Sequence, residues 1–269
     1  MTKAWKGVFQ MPVEGRTMKP RNEGITMVID KGISLQGIKD LIQISGDYID
    51  TVKFTFGTSA FYAQDFTKEK NEIITSSQID VMPGGTFLEV AVWQGVFDEY
   101  LKRAKELGFS AIEISDGTID IERTTRSDVI KRTVDSGFKV ITEVGKKDPA
   151  QVLPVSLIHQ LIGEDMKNGA FKVIIEAREA GKGVGIYDQE GKIKEDEIDN
   201  IIAGVEDLNC LIWEAPIKNQ QQALILRFGP NVNLGNIPQD EVLALEALRQ
   251  GLRGDTLKKA YLERKNWKE

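Results

Sequence analysis

The sequence predicts a single-domain (β/α)₈ barrel, and three observations lead there. Short β-branched runs alternate with longer amphipathic stretches, the alternation repeats eight times, and 269 residues suit a barrel of ~250 residues. An open doubly wound sheet is the alternative, but the chain lacks the G-x-G-x-x-G spacing that such sheets use for dinucleotides.

Taken in order, the first strand spans 25–30, ends in Asp30-Lys31-Gly32 and leads into a helix at 35–44. The second, 48–54, carries Lys53 and runs on to Gly57-Thr58-Ser59 before a helix at 66–76. The third, 79–82, ends in Pro83-Gly84-Gly85-Thr86 and precedes one long helix, 87–107. The fourth, 111–115, passes through Glu113-Ile114-Ser115-Asp116-Gly117 to a helix at 126–136. The fifth, 139–144, ends in Glu143-Val144-Gly145-Lys146-Lys147, with a helix at 154–168. The sixth, 171–176, ends in Glu176-Ala177-Arg178-Glu179, and a Gly-rich, hairpin-like insert separates it from the helix at 195–203. The seventh, 208–214, ends in Glu214-Ala215-Pro216 before a helix at 220–228, and the eighth, 231–236, precedes a helix at 240–251. Residues 1–23 read as an irregular arm, 24–256 as the barrel and 257–269 as a charged tail.

Composition narrows the function. A formal charge of -6 argues against a broad nucleic-acid surface, which needs a basic face. The one cysteine, Cys210, excludes an internal disulfide and a multi-cysteine zinc site, and its apolar surroundings read as core. With no signal-like stretch and no run of ~20 apolar residues, no membrane association and a cytoplasmic location are expected. The one histidine, His159, falls within a helix and away from every strand end, which argues against a Ser-His-Asp hydrolase.

Barrel active sites lie where the strands end. Four consecutive strands here close on a glutamate: Glu113, Glu143, Glu176 and Glu214. Gathered on one rim they would repel one another, and a bound Mg²⁺ flanked by Lys and Arg resolves the conflict. Salt bridges that merely tie the mouth together are the alternative, and spacing does not settle which acids touch metal. Side-chain alternation puts Ser115 on the face of Glu113, and Arg178 on that of Glu176. Arg178, Lys182 and the glycines 181, 183 and 185 form a candidate phosphate or sulfonate cradle, against which stands a plain solvent loop. Asn233 and Asn236 on the last strand are candidates to orient a carboxylate, although turn duties explain Asn equally. Lys53, Lys146 and Lys147 are candidates for acid–base work.

The runs quoted above, together with Gly46-Asp47-Tyr48-Ile49-Asp50 and Gly251-Leu252-Arg253-Gly254-Asp255-Thr256, resemble the phosphosulfolactate synthase family across residues 24–256. The resemblance implies a (β/α)₈ barrel needing Mg²⁺, in which sulfite adds to phosphoenolpyruvate and a lysine of the Gly-Lys-Lys run, here Lys147, donates the proton. It further implies that Lys31, Lys53, Arg178 and Lys182 offset the repulsion of two anionic substrates, and it suggests a homo-oligomer. The chain departs from the family pattern at Thr55 and Phe56, which alters one wall of the expected site.

Overall fold

The computed structural model describes residues 3–177 and 180–266. Its strands are β1 (Thr26–Asp30), β2 (Thr51–Phe54), β3 (Asp80–Pro83), β4 (Ala111–Ile114), β5 (Lys139–Val144), β6 (Lys172–Ile175), β7 (Leu211–Glu214) and β8 (Leu234–Ile237). All pair in parallel, in the order β3-β2-β1-β8-β7-β6-β5-β4. The two ends of that order meet at Ser110, whose amide donates to the Val81 carbonyl at 3.1 Å while its hydroxyl accepts the Val81 amide at 3.0 Å. The sheet is thereby curled into a (β/α)₈ barrel.

The helices are α1 (Leu35–Ser45), α2 (Gln64–Thr75), α3 (Gly85–Trp93), α4 (Phe97–Glu106), α5 (Arg123–Asp135), α6 (Val155–Lys167), α7 (Glu195–Ile202), α8 (Lys218–Phe228), α9 (Val242–Arg249) and α10 (Gly254–Asn266). Local chemistry sets their ends. Ser34 caps α1 by accepting the Gly37 amide at 3.0 Å, and α4 opens on Asp98 and Glu99 and closes on Arg103 and Lys105, in line with its dipole. The expected single helix 87–107 is in fact α3 and α4, broken at Gly95, whose φ of +70° suits a residue without a Cβ. Strands two, seven and eight start later than expected. Gly46–Tyr48 and Leu208–Cys210 form 3₁₀ turns instead, the latter capped by Asp207, and 231–233 lead into β8 without joining it. Within the segment expected to be a tail, α10 packs on α8 and α9. The arm is fastened by Arg16 to Glu246 and by Arg21 to Asp50.

Strand alternation divides the core into two layers. Val28, Val52, Val81, Ile112, Val140, Val173 and Leu211 face the helices, while Met27, Ala111, Ile141, Ile174 and Ile212 fill the barrel. Each large aliphatic chain buried this way stabilises the fold by about 1.5–3 kcal/mol. The inner residues have a second role: two positions beyond Ala111, Ile141, Ile174 and Ile212 come Glu113, Glu143, Glu176 and Glu214. An apolar floor therefore lies directly below the four acids. None of the described helices is long and apolar enough to cross a membrane.

Candidate functional site

The four glutamates converge as their register requires, all within 2% exposure. Lys53 rises from β2 into their midst, its Nζ 2.8 Å from Glu113, 3.5 Å from Glu214 and 3.6 Å from Glu143. Lys147 enters from the loop after β5, with Nζ 2.7 Å from Glu143, 3.2 Å from Ser115 Oγ and 3.4 Å from Glu176. That loop turns at Gly145, where φ is +133° and an added Cβ would lie 2.6 Å from Glu176 Cβ. Only glycine fits there. Together these side chains, with Thr55, Phe56, Thr118 and Asn236, line a cavity of 310 Å³ at the carboxyl end of the barrel.

Electrostatics follow from crowding. Burial works against the charge on Lys53, yet the three carboxylates outweigh it and hold the ammonium well above the ordinary lysine range. Lys147 is raised in the same way, burial being overcome by Glu143 and Glu176. Among the acids, burial opposes ionisation of Glu143, but Lys147 and Lys53 prevail and keep it well below the usual carboxylate range. Burial pushes Glu113 up to about 7, and burial together with Glu143 and Glu214 pushes Glu176 well up; Glu214 is raised, chiefly by burial. Protons thus compete for a site with too little positive charge.

Sequence reasoning missed Glu89. It lies on α3 at 2% exposure, its Oε1 3.0 Å from Ser115 Oγ and its Oε2 accepting the amides of Thr118 at 3.0 Å and Ile119 at 2.8 Å. A lone acid inside the apolar run Phe87-Leu88-Glu89-Val90-Ala91 was the available signal. Five carboxylates, Glu89, Glu113, Glu143, Glu176 and Glu214, therefore surround two ammonium groups. Oxygens of Glu143, Glu176 and Glu214 lie within 4.8 Å of one another, an all-oxygen donor set suited to a hard divalent cation such as Mg²⁺. Glu113 is otherwise engaged, by Lys53 and by the Gly85 amide at 3.1 Å.

Other candidates separate from this group. Ser115 is fully buried behind the carboxylates, where it links Glu89, Glu143 and Lys147 instead of facing the opening. Lys146 turns away from the acids to the Asp116 carbonyl at 2.7 Å and the Asp120 carboxylate at 2.9 Å. Asn233 lies at the opposite end of the barrel, because 231–233 precede β8; its amide serves Ile25, Asn209 and Leu211 there. Asn236, by contrast, lines the cavity, with Oδ1 buried and lacking a hydrogen-bond partner. Lys31 stands exposed on the rim. The Gly-rich segment is a closed turn: the Gly183 amide donates to Asp188 O at 2.8 Å and Tyr187 bridges Ile193, which leaves Lys182 in solvent and that amide unavailable to a ligand. Arg178 lies outside the described residues. His159 uses Nε2 on the carbonyls of Asn200 and Ile201, at 3.0 Å each, remote from the mouth.

Known proteins share this chain's pattern. A solved structure, 3-hexulose-6-phosphate synthase of Salmonella typhimurium, superimposes with a TM-score of 0.51 at 12% identity, covering 89% of this chain and 99% of its own, a likeness of fold alone. The phosphosulfolactate synthase of Methanocaldococcus jannaschii is 50% identical over 238 residues, spanning 88% of this chain and 94% of that protein. That of Methanothermobacter thermautotrophicus is 45% identical over 256 residues, spanning 94% and 99%. A family model described as (2R)-phospho-3-sulfolactate synthase matches residues 14–255, and with such coverage the chain belongs to the phosphosulfolactate synthase family of enzymes.

Proposed function

We propose that this chain joins sulfite to phosphoenolpyruvate at the barrel mouth, giving (2R)-phospho-3-sulfolactate, with Mg²⁺ as its metal. One observation carries the reading: four buried carboxylates line one cavity with two ammonium groups, and a fifth, Glu89, lies behind them, a deficit of positive charge that a divalent cation makes good. Glu143, Glu176 and Glu214 would hold it. When bound, Mg²⁺ supplies Lewis acidity toward the negative charge that develops on the substrate carboxylate.

The chain's own residues account for the remaining steps. The lone pair on sulfur forms the new C–S bond at the methylene carbon, the double-bond electrons move onto C2 and its carboxylate, and Lys147 Nζ gives C2 a proton. No bond to phosphate breaks. Glu143, 2.7 Å away, aims Lys147, and the surrounding carboxylates keep it protonated at neutral pH. The same carboxylates draw a replacement proton to the amine after transfer. Lys53, fixed by three glutamates, keeps a positive charge at the floor of the cavity, where it stabilises the enolate-like charge without moving. Lys31 on the rim and the Asn236 amide inside complete the anchoring of anionic groups.

The test is direct. Purified protein incubated with phosphoenolpyruvate, sulfite and Mg²⁺ yields, by mass spectrometry, one adduct that retains its phosphate, and only when all three are supplied. Absence of that adduct with every divalent metal tried overturns the reading.

A further inference from the structure

Between β2 and α2 the chain passes through the turn Thr55–Phe61, and at Phe56 φ and ψ are +57° and +23°. Left-handed backbone is unfavourable for any residue with a Cβ, and a bulky aromatic there is an outlier. The next residue, Gly57 at φ +64°, is the type that adopts such angles freely. The residues on either side of Phe56 are held in place. The Phe54 carbonyl accepts the Gly84 amide at 2.8 Å, the Thr55 hydroxyl donates to the Asp30 carbonyl at 3.1 Å, and Gly57 sits against the Phe87 ring. Strain of this kind persists only where neighbours over-determine it.

What the strain achieves is a position. It turns the ring away from the core, leaves it 58% exposed and makes it part of the wall of the cavity that holds Lys53, Lys147 and the glutamates. Lys31 Nζ stands 5.8 Å from the ring centroid, within cation–π reach, so an aromatic surface and a rim cation are presented together at the entrance. A ring so exposed on so unfavourable a backbone adds little to folding stability. For a small anion with an unsaturated carbon, however, it is an apolar wall opposite polar anchors.

We infer that Phe56 is a specificity-determining residue: its ring packs on the methylene carbon of the enol phosphate and screens the neighbouring carbon from bulk water while Lys147 delivers the proton. The inference rests on the function proposed above. Three proteins test it: wild type, Phe56→Gly and Phe56→Tyr. Glycine relieves the backbone, so Phe56→Gly unfolds at a urea concentration no lower than wild type, yet its KM for phosphoenolpyruvate rises about tenfold or more, the scale of losing an apolar contact in a pocket. The KM for sulfite stays close to wild type, and Phe56→Tyr, which keeps the ring, restores the KM for phosphoenolpyruvate; a KM in Phe56→Tyr as high as in Phe56→Gly defeats the inference. A urea midpoint that falls together with activity in Phe56→Gly makes the ring a structural element and defeats the inference. So does an unchanged KM for phosphoenolpyruvate in that variant, with the proposed function left standing. If wild type itself forms no adduct, the proposed function fails first and this inference falls with it.

Discussion

Asn233 and Asn236 lie three residues apart, and their circumstances are opposite. Asn233 accepts the Ile25 amide at 3.0 Å and donates to the carbonyls of Asn209 and Leu211, both at 2.9 Å. Asn236 has φ of +55° and holds a buried amide oxygen with no partner, facing the cavity. The contrast extends to the two ends of the barrel. At the base, the fully buried Arg249 donates to the carbonyls of Pro230 at 2.6 Å, Val232 at 2.7 Å and Ile25 at 3.2 Å, closing β1 against the lead-in to β8. At the mouth, like charges are crowded together, Phe56 is strained and Asn236 is unsatisfied. At the base most buried polar groups are paired, Arg249 Nε being an exception, whereas the mouth concentrates like charges, backbone strain and an unpaired amide oxygen, the pattern of a functional site.

Substitutions at the two ends should therefore separate activity from stability. The largest effect is expected at the mouth, where Lys147→Ala lowers kcat by about 10²–10⁴-fold, the usual contribution of a positioned proton donor, with the circular-dichroism spectrum of the folded wild type. Normal turnover in that variant would place the donor elsewhere. At the base, Asn233→Ala costs about 1–3 kcal/mol in urea unfolding, because the Ile25 amide and two carbonyls lose their partner, while kcat/KM is unaltered. A drop in kcat/KM without a drop in stability would erase the distinction between the ends.

The smallest effect is a pH dependence. Burial raises Glu113 to about 7 from its unfolded value of 4.5, so across that window the folded state binds more protons than the unfolded one. Unfolding free energy accordingly falls as pH rises from 4.5 to 7, and Glu176 and Glu214, also raised, add in the same sense. A cation at the acids replaces those protons, so the gain in melting temperature on adding Mg²⁺ is larger at pH 7.5 than at pH 5.5. An equal gain at both would place the binding away from these groups.

Much of this was legible in the residues themselves. The eight strand–helix units could be read because a parallel strand buried on both faces is a β-branched run, and because period-two spacing carries each glutamate one layer beyond an apolar neighbour. Where legibility ended, long-range contacts had decided. The break at Gly95 is hidden among apolar neighbours that suit one helix or two. Asn233 reads in sequence as part of the last strand, but 231–233 precede its first ladder pair, which puts the residue at the base. Composition suggested an anion cradle at 181–185, whereas the Gly183 amide had already been taken by Asp188. Glu89 belongs to a helix on the outer face of the sheet, and only the tertiary fold brings it to Ser115 and the loop after β4.

The floor of Met27, Ala111, Ile141, Ile174 and Ile212 makes the barrel a vessel stoppered at the bottom. Among the described residues the acids are reached from the cavity at the carboxyl end. Whatever settles deepest must come in first and go out last, so an ion lodged among the acids would be resident across many turnovers while the organic guests exchange above it.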